Sequence, residues 1–242
     1  MYEVLKKIAK SVLSKNTLVS HEESIRKLLF PFYKGSRFTC TICGKGLKRF
    51  VFLYNGEKLC PYCGSLGRHR RLYSLIRDNI NGKRILDFSP SRAIYRKLKR
   101  TPGIDYISTD FSSEFPADKK LDITAIAEPL RSFDVILCYH ILEHIPGDRK
   151  AMSELYRVLK PGGVCWVQTP FKAGDIYEDP AITTPQARLT HFGQKDHVRI
   201  YSVAGLKQRL EEAGFKVEIK EFDEDQRYGM EREIVVECKK SS

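Results

Sequence analysis

The 242-residue chain has no apolar run of membrane-spanning length, and its charged first residues do not read as a secretory leader. No transmembrane segment is therefore expected, and the expected location is cytoplasmic. Internal repeats and low-complexity tracts are also missing, which sets aside solenoid and disordered classes. Without a secretory context disulfides are not expected. The seven cysteines then read as metal ligands plus core residues. Acidic residues are scarce at the front. Residues 1–80 hold 16 Lys/Arg against 5 Asp/Glu, whereas residues 81–242 hold 26 against 25, so nearly all of the net +12 sits in the first third. This asymmetry points to a boundary near Asn81-Gly82, dividing the chain into 1–80 and 81–242. It also points to an anionic partner for the front module: RNA, a phosphorylated saccharide or an anionic membrane surface. Solubility alone would account for the charge equally well.

Four of the cysteines fall in a pattern. Cys40-Thr41-Ile42-Cys43 and Cys60-Pro61-Tyr62-Cys63 give two C-x2-C pairs separated by sixteen residues, a spacing that suits tetrahedral zinc. Gly44 and Gly64 follow the second cysteine of each pair, where the backbone must turn so that amides can donate to sulfur. Asn55-Gly56, flanked by Phe50-Val51-Phe52 and Lys58-Leu59, is a hairpin signal. The segment reads as a zinc ribbon. Four thiolates leave no open coordination position, so the zinc is expected to be structural. Cys138, Cys165 and Cys238 lie in expected strands and are assigned to the core. The run Gly67-Arg68-His69-Arg70-Arg71 reads either as a phosphate grip or as the solvated first turn of a helix.

Elsewhere the pattern alternates. Residues 2–13 carry a basic amphipathic stripe, expected to pack on the protein itself or on a dimer mate. Ser20-His21-Glu22-Glu23 has capping-box spacing, placing a helix start there and its end at Pro31. A helix is expected over 68–79. Strands are expected at 84–88, 105–110, 121–124, 133–139, 164–169, 216–222 and 231–238, with helices at 93–99, 149–159 and 203–213. Strands spaced by helices imply a mostly parallel sheet.

The run Ile85-Leu86-Asp87-Phe88-Ser89-Pro90-Ser91, followed by Ser132-Phe133-Asp134 and Leu159-Lys160-Pro161-Gly162-Gly163, resembles in order and spacing the class I S-adenosylmethionine-dependent methyltransferases. The resemblance covers about residues 81–238. The segment from Cys60 to Arg70 also resembles the front module of a group of bacterial zinc-ribbon methyltransferases. The resemblance implies an α/β fold: a Rossmann-like, mostly parallel seven-stranded sheet with a terminal antiparallel strand, preceded by a small zinc-ribbon module with helices. It also implies S-adenosylmethionine as cofactor. One piece departs from the family: its Asp-x-Gly-x-Gly turn is here Asp-Phe-Ser-Pro-Ser. Ser89 and Ser91 are the next smallest residues, and Pro90 offers no amide hydrogen.

On this reading Asp87 matches the acidic residue that opens the family motif. Asp110, 23 residues later at a strand end, is placed to accept the ribose hydroxyls. Phe111 would pack on the adenine, Asp122 would lie near its amino group, and Tyr139 belongs to the cofactor edge. Methyl transfer is an in-line displacement that needs alignment, plus a base where the acceptor is a hydroxyl. His140, His191 and His197 are the candidate bases. Glu143 and His144 read as a helix start. The polar stretch from Thr169 to Arg199 reads as a binding lid, with Arg188 and Arg199 suited to phosphate or carboxylate. The acceptor is expected to be a polar, anionic or neutral small molecule such as a saccharide or its nucleotide-linked precursor. Two alternatives stand beside it. One is an RNA methyltransferase docking through Tyr33, Phe38, Phe50, Phe52, Tyr54 and Tyr62. The other is a non-catalytic zinc-ribbon binding protein whose methyltransferase-like domain is degenerate.

Overall fold

A computed structural model describes residues 15–112 and 117–241, with side chains from residue 21 onward. The amphipathic stripe at 2–13 lies outside the described residues. Among the described residues no helix is long and apolar enough to cross a membrane. The chain packs as two compact units. Of the described residues, one unit takes in 15–79, 91–97 and 223–233; the other takes in 80–90, 98–112, 117–222 and 234–241. The first unit thus takes in two short segments that chain order had assigned to the second module.

The first unit begins with helix α1 (Lys15–Leu29), which runs straight through Ser20 rather than starting there. Capping-box residues are equally compatible with a helix interior when nothing upstream breaks it, and Asn16–Val19 contains no breaker. The helix stops before Phe30-Pro31-Phe32, a single 3-10 turn, as Pro31 requires. Strands β1 (Lys34–Thr39) and β2 (Gly46–Leu47) pair antiparallel, as do β3 (Val51–Phe52) and β4 (Lys58–Leu59) across the Asn55-Gly56 turn. Gly56 has φ +83°, the conformation such a turn needs and a side chain resists. Tyr33, Val51 and Leu59 form a small core with Phe30, Leu53 and Leu66 around them. Helix α2 (Gly67–Ile76) follows.

The second unit is built on one six-stranded sheet. Its strands are β5 (Arg84–Phe88), β6 (Asp105–Thr109), β7 (Phe133–Tyr139), β8 (Leu159–Gln168), β11 (Lys216–Phe222) and β12 (Glu233–Lys239), in the order β11-β12-β8-β7-β5-β6. β6, β5, β7 and β8 run parallel, and β12 is antiparallel to β8. Helix α4 (Asp148–Val158) links β7 to β8, whereas helix α3 (Arg92–Lys99), between β5 and β6 in the chain, belongs for the most part to the first unit. The central strands are near-continuous apolar runs: Ile85, Leu86, Phe133, Ile136 and Leu137 are fully buried, as befits strands covered on both faces. Cys138, Cys165 and Cys238 are core residues of this sheet. Between β8 and β11 lie β9 (Tyr177–Glu178), helix α5 (Pro185–Phe192), β10 (Arg199–Ile200) and helix α6 (Val203–Glu212).

The expected seventh strand at 121–124 does not form. Leu121 and Ile123 are buried and Asp122 is exposed, which is the alternation a strand would show. The Asp122 side chain, however, accepts from both the Thr124 amide and the Thr124 hydroxyl at 2.8 Å, closing a local turn instead of a ladder.

Candidate functional site

The chain leaves β5 to form β6 on one side, then returns to place β7 on the other side of β5. The carboxyl ends of β5 and β7 therefore flank a topological switch point, where open α/β sheets present a crevice. A cavity of about 650 Å³ opens there. Phe88, Ser89, Thr109, Asp110 and Phe111 line it from β5 and β6, Leu121 to Thr124 from the turn, and His140, His144 and Lys150 from the segment after β7. This volume falls within the range of small-molecule sites.

Two of these residues carry backbone strain. Ser89 (φ +48°) and His140 (φ +56°) both sit in the left-handed region immediately after their strands. Ser89 occupies the position where the family has its first turn glycine, and it adopts the conformation that glycine would. Its hydroxyl donates to Asp110 Oδ1 at 2.7 Å, and the Ser112 hydroxyl lies 3.2 and 3.1 Å from the two Asp110 oxygens. Asp110 is only 4% exposed, so its carboxylate draws on these hydroxyls. Phe111 beside it is 62% exposed. His140 Nδ1 lies 3.2 Å from Glu143 Oε1, while its Nε2 has no hydrogen-bond partner. Burial is the largest single influence on Glu143 and works against its charge, but the His140 contact, its own backbone amide and nearby His144 together hold the carboxyl below its ordinary value.

The structure thus brings Ser89, Asp110, Phe111, Asp122 and His140 to one cavity. Asp87, Ser91, Tyr139, His191 and His197 do not line it. Asp87 is buried and accepts from the Tyr106 hydroxyl at 2.8 Å, tying β5 to β6. Burial pushes its carboxyl up to about 7, with the Tyr106 bond pulling the other way. Ser91 caps α3, accepting from the Ile94 amide at 3.3 Å. His191 is exposed and meets the Tyr177 hydroxyl at 2.6 Å. His197 is 3% exposed, and its Nδ1 lies 3.2 Å from the Phe192 carbonyl. Burial, with His144 adjacent, lowers its pKa. Sequence reading passed over Ser112 and Lys150; a serine or a lysine in a loop carries no pattern of its own.

The stretch 169–201 is not all loop: it holds β9, helix α5 and β10. Arg199 is 5% exposed and donates to the Leu142, Ile145 and Pro146 carbonyls and to Glu178 at 2.7 Å. It is a strut under the turn after β7, not a phosphate ligand. Arg209 binds Asp148 at 2.6 Å and also Glu178, while the Tyr201 hydroxyl donates to Asp148 at 2.5 Å. The Arg209 and Arg199 guanidiniums hold the Glu178 carboxyl down to about 2 despite its partial burial.

In the first unit the four cysteine sulfurs lie within 4.8 Å of one another, with Cys40 and Cys63 3.6 Å apart and Cys43 and Cys60 3.9 Å apart. Zinc–sulfur bonds of about 2.3 Å in a tetrahedron give edges of about 3.8 Å, so the donor set fits that ion. Gly44 (φ +68°) and Gly64 (φ +78°) turn the two knuckles, each donating back to the first cysteine of its pair. The Ser65 hydroxyl lies 3.3 Å from Cys40 Sγ and 3.2 Å from Cys63 Sγ.

The basic run forms the first turn of helix α2, as one of its two readings has it, but its guanidiniums meet protein groups rather than water. Arg70 is fully buried over the Phe50 ring and donates to the Ser65, Lys58, Tyr228 and Gly229 carbonyls. Arg71 is 8% exposed and donates to the Asp223 and Glu231 carbonyls. Arg68 pairs with Glu57. Of the six aromatics considered for base stacking, Tyr33 and Phe50 are buried, Phe38 packs on Phe50 and Tyr62 on Phe30; Phe52 and Tyr54 are exposed.

Residues 65–219 match the family model described as a methyltransferase domain. The chain is 30% identical over 161 residues to a Mycolicibacterium smegmatis protein named "Probable S-adenosylmethionine-dependent methyltransferase", covering 62% of this chain and 59% of that one. It is 24% identical over 152 residues to the ubiquinone biosynthesis O-methyltransferase of Psychrobacter arcticus, covering 55% and 59%. The chain thus spans about three fifths of the length of these curated relatives. In fold it is similar to the YcgJ protein of Bacillus subtilis (TM-score 0.53, 16% identity, 72% of this chain and 100% of that one). It is likewise similar to a SAM-dependent methyltransferase of Archaeoglobus fulgidus (TM-score 0.51, 18% identity, 72% and 92%). With well over half of its length inside the matching family model, and with a cavity at the switch point of a mostly parallel sheet, the chain belongs to the methyltransferase domain family.

Proposed function

We propose that this protein is an S-adenosylmethionine-dependent methyltransferase acting on a hydroxyl group of a polar small molecule. The observation that carries the reading is the convergence of Ser89, Asp110, Phe111, Asp122 and His140 on one cavity at the switch point. Asp110 accepts the two ribose hydroxyls, which replace the Ser89 and Ser112 hydroxyls now donating to it. Phe111 covers the adenine. Asp122, whose Oδ1 is taken by Thr124, offers Oδ2 to the adenine amino group. Asp87, outside the cavity wall, acts by fixing β5 against β6. The bound cofactor supplies an electrophilic methyl group on sulfur. His140 removes the acceptor proton through Nε2, and Glu143 holds the opposite ring nitrogen. O-methylation in the name of the Psychrobacter relative supports a hydroxyl acceptor.

We also propose that Cys40, Cys43, Cys60 and Cys63 hold a structural zinc ion, with Ser65 as its outer hydrogen-bond partner. The RNA alternative has lost ground: two exposed aromatics remain of six, and Arg70 and Arg71 are spent on carbonyls. The test is the thermal shift of the zinc-loaded protein with S-adenosylhomocysteine, with NAD as control. A ligand that binds the native state raises its apparent stability by mass action. Stabilisation by S-adenosylhomocysteine alone supports the reading. No shift would favour the degenerate binding protein.

A further inference from the structure

Beside the cavity stands a group of side chains that methyl transfer as described above does not use in full. Glu143 and His144 lie on the 3-10 turn Leu142–His144 after β7, and His197 lies just before β10. One ligand atom from each is within 4.8 Å of the other two. Glu143 is 1% exposed and His197 3% exposed. Oε1 of Glu143 faces His140, but Oε2 is buried with no partner. The Nδ1 of His197 faces the Phe192 carbonyl at 3.2 Å and so carries the ring hydrogen. Its Nε2 is then a buried lone pair, and it too has no partner. The two rings of His144 and His197 meet edge-on at 4.6 Å.

A carboxylate oxygen and an imidazole lone pair are both acceptors, so neither can satisfy the other. Leaving both buried and unmet costs free energy that a cation between them would recover. The surroundings are also those of a metal site. Metal-binding histidines usually give their other ring nitrogen to a carbonyl or carboxylate. His197 has the Phe192 carbonyl, and His144 Nδ1 lies 3.2 Å from Asp196 Oδ2. The Glu143 carboxylate is steadied in turn by His140.

We propose that Glu143, His144 and His197 form a second metal site, which takes a divalent first-row transition cation such as Mn²⁺ or Zn²⁺. Two imidazoles and one carboxylate suit such ions better than Mg²⁺ or Ca²⁺, which want oxygen. Three protein ligands leave positions open, and His144 and Asp196 both line the cavity. Its role in catalysis rests on the methyl-transfer reading. There the ion binds the acceptor oxygen and acidifies its hydroxyl. The O–H bond breaks toward His140, the oxygen–methyl bond forms, and the sulfur–methyl bond breaks to release S-adenosylhomocysteine.

The test uses Mn²⁺, which ill suits four thiolates and so leaves the cysteine site silent. The 242-residue chain, loaded with one zinc per chain, is titrated with Mn²⁺, and free Mn²⁺ is followed by electron paramagnetic resonance. Wild type should bind one equivalent. His144→Ala and His197→Ala should weaken it at least tenfold, with zinc content and circular dichroism unchanged. His144 is partly exposed, so its variant keeps the test valid if the His197 variant fails to fold. No Mn²⁺ uptake by wild type, or uptake undiminished in the His144 variant, overturns the proposal; a bridging water would give the first result. S-adenosylhomocysteine affinity measured in the same samples judges the methyl-transfer reading separately.

Discussion

Ser89 shows how one residue can look like a defect and behave as a substitute. The left-handed conformation at this position costs a non-glycine residue about 1 kcal/mol, yet its hydroxyl meets Asp110. Ser89→Gly removes the strain and the bond together. Folding stability should change little, while S-adenosylhomocysteine should bind a few-fold more tightly, as calorimetry would show, because one donor no longer competes for Asp110. Asp87 yields a second prediction. Its carboxyl is raised by burial to about 7, so the folded protein holds a proton that the unfolded chain releases near pH 4. Its contribution to stability is therefore lost as pH rises from about 4 through 7 and is constant above. Asp87→Asn should be more stable than wild type in chemical denaturation at pH 8, by up to about 4 kcal/mol, and progressively less so toward pH 4. A gap independent of pH would refute this. Asp110 was legible from its spacing to Asp87, and the four cysteines from theirs. Arg70 was not, because Gly-Arg-His-Arg-Arg reads the same whether its guanidiniums meet water or carbonyls that come from residues 228 and 229.

Elements with a strong period were readable, and those decided by a side chain's own hydrogen bonds were not. The parallel strands appear as apolar runs, and α4 shows its face through Ala151, Met152, Leu155 and Val158, all fully buried. The false strand at 121–124 had the right alternation but an aspartate that closes its own turn. The stretch from Thr169 to Arg199 reads as a lid from its length and its dense histidine, arginine and aromatic content. Arg199 is instead buried beneath the turn carrying His140 and Glu143, with its donors on three carbonyls. Arg199→Ala would leave those carbonyls unmet and Glu178 without one of its partners. A loss of about 3–5 kcal/mol in chemical denaturation is expected, with hydrogen exchange rising first over residues 140–148. Exchange rising instead at random across the sheet would contradict the strut role.

At the scale of the whole molecule, charge is the most visible feature of the sequence and the least informative. The excess of lysine and arginine before residue 81 includes Arg70 and Arg71, which fold the first unit rather than face a partner. Within that unit the ribbon segment 34–66 is built only from two short antiparallel pairs, β1–β2 and β3–β4, too little sheet to hold itself without help. Removing zinc with a strong chelator should therefore unfold it, read as lost hydrogen-exchange protection over residues 34–66 and restored by one equivalent of zinc. Protection that survives a verified loss of zinc would mean the cysteines are not its staple. The central claim is that the cavity between β5 and β7 holds S-adenosylmethionine through Asp110. It is tested most directly by isothermal titration of S-adenosylhomocysteine into the zinc-loaded wild type and Asp110→Ala. The account predicts one site per chain, weakened at least tenfold by the substitution, since hydrogen bonds to a charged group contribute about 1.5–3 kcal/mol. Equal affinity in the two proteins, or no binding to either, would contradict it.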